Sequence, residues 1–130
     1  MWLDHLQGRE KIKFMFNDEL TLDDSEFENL LFYDLSKVRL CFKVKNIPKK
    51  TPEKWKQIKF NGISITLELI AINNLNLNGN RVGFICSPLI HQENNKFIFT
   101  ITNKEEFFFS CTTDVIFIDS IYPYWDKRWK

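Results

Sequence analysis

The residues able to do chemistry are few, and their spacing does not favour it. His5 and His91 stand in dissimilar contexts, and neither has a Cys, His or carboxylate at metal-ligand spacing beyond Glu93. A zinc-type centre needs about four converging donors, so both imidazoles read as surface groups. Nucleophilic catalysis requires a Ser or Cys activated by a base, and no G-x-S-x-G elbow occurs. With 4 glycines in the whole chain there is no phosphate-cradling loop. Cys41, Cys86 and Cys111 are odd in number, lack CxxC spacing and lie in apolar strand patterns. They read as reduced thiols packed as small hydrophobes, which argues against an oxidising compartment. The expectation is no catalysis, no metal and no cofactor.

Charge is the remaining chemical signal. Between Asp18 and Glu28 the chain carries six acids and no base, whereas Lys37 to Lys59 holds nine bases against Glu53 alone. The formal net charge is only +1, without the strong basic excess of phosphate-backbone binders, so nucleic acid is not the expected partner. Asp18, Glu19, Asp23 and Asp24 fall in the connector that begins Asn17-Asp-Glu-Leu, and Lys49, Lys50, Lys54 and Lys56 in a later loop. Such runs often do no more than solvate a loop.

The elements that must position these groups are mostly strands. At 130 residues the chain is expected to form a single domain, 1–130. Thirteen Phe and 4 Trp mean that a few bulky rings fill its core, which favours sheets. Gly8 to Phe16 has the spacing of a short helix, with Ile12, Met15 and Phe16 on one side. Phe27–Asp34 and Lys37–Asn46 read as a hairpin about Leu35-Ser36, in which Asp34 pairs with Lys37, Glu28 with Lys43 and Glu26 with Lys45. The same register sets Phe27, Leu31 and Tyr33 opposite Val44, Leu40 and Val38. Thr51-Pro52-Glu53 starts a single helical turn ending near Gln57, with Trp55 packed over the sheet edge. Ile63 to Leu69 alternates until Asn73-Asn74 breaks the strand, and Leu75 and Leu77 alternate up to Gly79-Asn80. Arg81–Leu89, Lys96–Thr102, Glu105–Thr112 and Asp114–Tyr122 supply four more strands, Pro123 ending the last. The expected fold is mainly β, an antiparallel sandwich or partly open barrel of about eight strands, with the short N-terminal helix and one helical turn near Pro52-Gln57. No apolar stretch approaches the ~20 residues of a membrane span, and no basic segment followed by an apolar run opens the chain, so a soluble, cytoplasmic protein is expected.

The wording of one block says more than its periodicity. Between Val38 and Gly79 the chain strings together V-R-L-C-F-K-V, then I-P-K-K-T-P-E-K-W, then F-N-G-I-S-I-T-L-E-L. Two prolines four apart, a Trp three residues after the second, and F-N-x-I-x-I-x-L-x-L follow a clean alternating strand. The block resembles the Immunity protein 50 family of bacterial polymorphic toxin systems. Phe107-Phe-Phe-Ser-Cys111, leading to Ile118-Asp-Ser-Ile-Tyr122, is similar to that family's closing segment. The resemblance implies a small cytosolic protein that binds and neutralises a cognate protein toxin by occlusion, with no active site, no nucleic acid and no membrane in its work. Under that reading Asp18, Glu19, Asp23 and Asp24 are the candidates for toxin binding, since carboxylates can complement the basic groove of a nuclease and speed encounter. Trp125 and Trp129 are the second candidates. They belong to a tail that extends past the family's closing Tyr and that can either fold back as a core lid or present an aromatic surface. Two other readings stay open at this point. One is a carbohydrate-binding sandwich that stacks sugar on Tyr124, Trp125 and Trp129, and the other is an enzyme built from dispersed carboxylates.

Overall fold

The computed structural model describes residues 22–45, 53–104 and 106–129, together with the backbone of 6–7. The expected helix at Gly8–Phe16, and with it Asp18 and Glu19, lies outside the described residues. Alternating apolar residues set the architecture, because period two gives each strand one face to bury. The strands are β1 (Leu6–Gln7), β2 (Ser25–Tyr33), β3 (Lys37–Val44), β4 (Gly62–Ile70), β5 (Asn73–Gly79), β6 (Phe84–Cys86), β7 (Leu89–Glu93), β8 (Lys96–Asn103), β9 (Phe107–Thr113) and β10 (Val115–Tyr124). They form a six-stranded sheet in the order β1-β10-β4-β3-β2-β6 and a four-stranded sheet in the order β5-β9-β8-β7. All pairings are antiparallel except the short contact of β1 with β10. The sheets stay separate, so the molecule is a sandwich and not a barrel.

Between the sheets Phe27 is the hub of a ring cluster, with centroids 5.4 Å from Phe42, 5.6 Å from Phe84 and 5.5 Å from Phe107. Val38, Leu40, Phe42 and Val44 all point into this core, as their alternation requires, and Ile63, Ile65, Leu67 and Leu69 join them from β4. Trp55 is buried in the 3-10 turn Glu53–Gln57, where it meets the Phe60 ring edge-on at 5.7 Å. All three cysteines are free and buried.

The hairpin register differs from the expected one. The turn takes three residues, with Asp34 and Leu35 both at positive φ (51° and 69°), so Tyr33 pairs with Lys37, Leu31 with Arg39 and Leu30 with Leu40. Asp tolerates the left-handed region through its short polar side chain, which takes Asp34 out of the strand and slips the ladder. A bulge between Phe27 and Asn29 then slips it again, setting Phe27 opposite Phe42 and Glu26 opposite Lys43. Lys37 still reaches Asp34 at 3.0 Å and Lys43 reaches Glu28 at 3.3 Å, whereas Glu26 does not pair with Lys45. Leu31 ends up half-exposed on the outer face. Two further boundaries move. The break after β4 falls at Ala71, whose φ is 60°, leaving Asn73 and Asn74 in β5; and the expected strand Arg81–Leu89 shortens to β6, while β7 forms through His91 in the stretch expected to connect it to the next strand.

Candidate functional site at the tail end of the sandwich

Antiparallel connectivity brings four chain segments to one end of the larger sheet: the start of β2, the end of β3, the start of β4 and the end of β10. The tail after Tyr124 is pinned there by one side chain. Asn61 donates from Nδ2 to the Asp126 carbonyl at 2.7 Å and to the Trp129 carbonyl at 3.2 Å, and its Oδ1 accepts from the Asp126 N–H at 2.8 Å. Its own N–H bonds the Tyr124 carbonyl at 3.1 Å. Asp126 is locally suited to open a turn: its Oδ1 accepts the Arg128 N–H at 2.9 Å, capping the 3-10 turn Lys127–Trp129.

Arg128 then ties this turn to β2. Its Nη1 and Nη2 each meet a carboxylate oxygen of Glu26 at 2.8 Å, while Nε and Nη2 meet Asp126 at 2.9 and 2.6 Å. Fork-to-carboxylate hydrogen bonds of this kind are directional as well as strong. The guanidinium bonds hold the Asp126 carboxyl down at about 2 and push the Arg128 pKa up in return. Glu26 has therefore found a base, but one 102 residues away rather than across the hairpin.

The tail is a lid at Trp129 and open at Trp125. Trp129 meets Tyr124 at 5.6 Å and 66°. It lies so close to Gly62 that a Cβ there would come within 2.6 Å of its ring, which explains a glycine in an otherwise bulky strand. Trp125 remains 38% exposed, with Lys59 Nζ 4.2 Å from its ring centroid. Lys45 sits 5.0 Å over Trp129 and Lys43 4.9 Å over Tyr124. β10 continues one residue past Pro123, which pairs with Ile63, so the proline does not end the strand.

Of the acidic connector, Asp23 and Asp24 are both exposed in the turn that leads into β2, at the same end of the sheet as the tail. Asp24 has φ 57° and donates its N–H to Ser87 Oγ at 3.0 Å. The fold thus places Asp23, Asp24, Trp125 and Trp129 at one end of the larger sheet, with β4 and β3 between the strands that lead to the two pairs. Sequence reasoning missed the residues that position them: Asn61, Gly62, Glu26 and Arg128. Asp126 followed by Lys-Arg-Trp was the one legible signal, a capping residue at a turn.

Elsewhere the chemical candidates behave as surface or core groups. His91 is exposed and 3.8 Å from Glu93 beside an open depression lined by Glu93, Asn94, Lys96, Ile98 and Thr112. Among the described residues no three His, Cys, Asp or Glu side chains could hold a metal together. Burial pushes the Cys86 thiol up to about 11 and Cys111 up to about 12, and raises Cys41 as well, so these thiols stay protonated at neutral pH and are poor nucleophiles. No helix among the described residues is long and apolar enough to cross a membrane.

No curated protein and no solved structure matched the chain. The family model of Immunity protein 50 matches residues 8–124, so its span closes just before the pinned tail. With most of its length inside that match, the chain belongs to the Immunity protein 50 family.

Proposed function

We propose that this protein is a cytoplasmic, stoichiometric inhibitor that binds one cognate protein toxin and neutralises it by occlusion, without catalysis. Family membership carries the reading. The tail end of the sandwich supports it as the contact surface, because exposed carboxylates at Asp23 and Asp24 and the half-open Trp125 share one end of a rigid sheet. A rigid scaffold carrying mixed charge and an aromatic edge suits protein recognition. The sugar-stacking alternative is disfavoured by geometry: Tyr124 and Trp129 meet edge-on, so these two rings offer no coplanar platform, and Trp129 is half-buried.

Co-expression with the toxin of the adjacent reading frame, scored as growth with and without this protein, tests the claim. Rescue with a one-to-one complex in native mass spectrometry is the expected result. Equal killing in both arms would sink the immunity reading. Replacing Asp18, Glu19, Asp23 and Asp24 together by Asn or Gln should leave the fold intact, slow association about tenfold and flatten its salt dependence. An unchanged association rate would remove the acidic connector from the contact surface while leaving immunity standing.

A further inference from the structure

The tail end also carries cations that no acid among the described residues answers. Glu26 and Asp126 are both taken by Arg128, and Glu28 by Lys43. Lys45, Lys59 and Lys127 are exposed and, among the described residues, form no ion pair. Two of them instead rest on the tail's rings, Lys45 over Trp129 and Lys59 over Trp125, and Lys127 lies in the turn between those tryptophans. The opposite end handles lysines differently, with Lys37 on Asp34 and Lys96 on Asp114.

We infer that Lys45 and Lys59, carried on Trp129 and Trp125, together with Lys127 in the turn between them, form a docking surface for an acidic segment of a protein partner. The inference rests on the immunity reading for the partner's identity and adds to it a second surface of opposite sign to the Asp23-Asp24 turn. Three observations converge. The rings are held in place by the Asn61 and Arg128 bonds, so the lysines above them are preorganised and lose less freedom on binding. A cation stacked on an aromatic face keeps its N–H donors free for a carboxylate. The surface is small and the whole chain carries only +1, which suits a local acidic protein segment better than a phosphate backbone. Paired with the carboxylates at the start of β2, it makes one end of the sandwich bipolar, and a bipolar surface fixes the orientation of its partner as well as attracting it.

The test uses the full chain and two variants: the reversal Lys45→Glu/Lys59→Glu/Lys127→Glu, and the charge-keeping Lys45→Arg/Lys59→Arg/Lys127→Arg. Each is titrated at low ionic strength with an oligoglutamate peptide and with a short DNA duplex, followed by calorimetry and tryptophan fluorescence. The expected result is peptide binding by the natural chain and the arginine variant, weaker by about tenfold or more in the reversal, with unfolding midpoints alike. Tighter binding of duplex than of peptide would overturn the inference in favour of nucleic acid. Equal peptide binding by the reversal, or no peptide binding by the natural chain, would overturn it outright. In the growth assay with the adjacent toxin, the reversal should lose protection and the arginine variant keep it. Failure of the natural chain to protect counts against the immunity reading alone, since the peptide titration judges the docking surface independently.

Discussion

The two ends of the larger sheet solve the same problem in opposite ways. At the turn end, where β2 meets β3 and β4 crosses to β5, the chain answers its own polar groups between the strand ends and turns that meet there. The Ile72 N–H bonds the Ser36 carbonyl at 2.9 Å, Asp114 N–H bonds Ile70 at 3.2 Å, and Thr113 Oγ1 reaches the Ile70 and Val115 carbonyls at 2.5 and 3.0 Å. Lysines there find aspartates close at hand. At the tail end the answers come from farther still along the chain, through Asn61 to Asp126 and Arg128 to Glu26, and three lysines find no acid among the described residues. A self-satisfied end contributes stability and little else. An end fixed by long-range clamps, with charge unspent, has both the rigidity and the free groups that recognition needs.

Breaking the clamp should show the largest effect. Asn61→Leu deletes three side-chain hydrogen bonds and leaves the Asp126 N–H and two carbonyls without their partner, so it should cost about 3 kcal/mol in urea unfolding, at about 1 kcal/mol per bond. Trp125 and Trp129 emission should shift red as the tail loosens. A loss below about 1 kcal/mol would mean that Arg128 alone holds the tail.

Acid should act on the tail end in a defined window. Hydrogen bonds from Arg128 hold the Asp126 carboxyl down at about 2, against an ordinary value of about 4. A carboxyl depressed in the folded state contributes stability that is fully present above its unfolded value and is lost as pH falls through its folded one. The clamp's share should therefore disappear between about pH 4 and pH 2. Arg128→Met should flatten that part of the profile of melting temperature against pH. An identical profile in the variant would assign the acid loss to other carboxylates.

The turn end should yield less. Thr113 is fully buried, and Thr113→Val keeps its shape while removing both side-chain hydrogen bonds, for an expected loss of about 1 kcal/mol by urea unfolding with toxin protection unaltered. A loss of protection would draw this end into the interface and undo the contrast.

What could be read from the chain, and what could not, follows the same division. Alternation at Val38–Val44 and Ile63–Leu69 specified the buried faces, because a period of two has one solution once one face is dry. The turn at Glu53–Gln57 and the buried Trp55 were legible because the sequence pattern Thr-Pro-Glu is a local signal. The hairpin register was not, because it hung on Asp34 and Leu35 adopting positive φ and on a bulge at Glu28, neither of which hydrophobic pattern reports. The candidate site was half legible: Asp23, Asp24, Trp125 and Trp129 stand out by residue type, but their shared location depends on strand order. The pairing of Glu26 with Arg128 spans nearly the whole chain, beyond the reach of any local rule.

Leu35 offers the smallest and sharpest test. It is 98% exposed, so it buries nothing, and at φ 69° it occupies a left-handed conformation that costs an ordinary L-residue about 1 kcal/mol or more. Asn tolerates that region through its short polar side chain, so Leu35→Asn should stabilise the chain by about 0.5 to 1 kcal/mol. Leu35→Gly should gain less, because glycine relieves the strain but gives the unfolded chain more freedom to lose. The Asn variant should protect against the toxin as the natural chain does. If it is more stable yet protects less, the strained leucine is held out for a partner, and the turn end shares in recognition after all. If it is less stable, Leu35 makes a contact that its exposure does not reveal, and the turn end is not as self-contained as its hydrogen bonds imply.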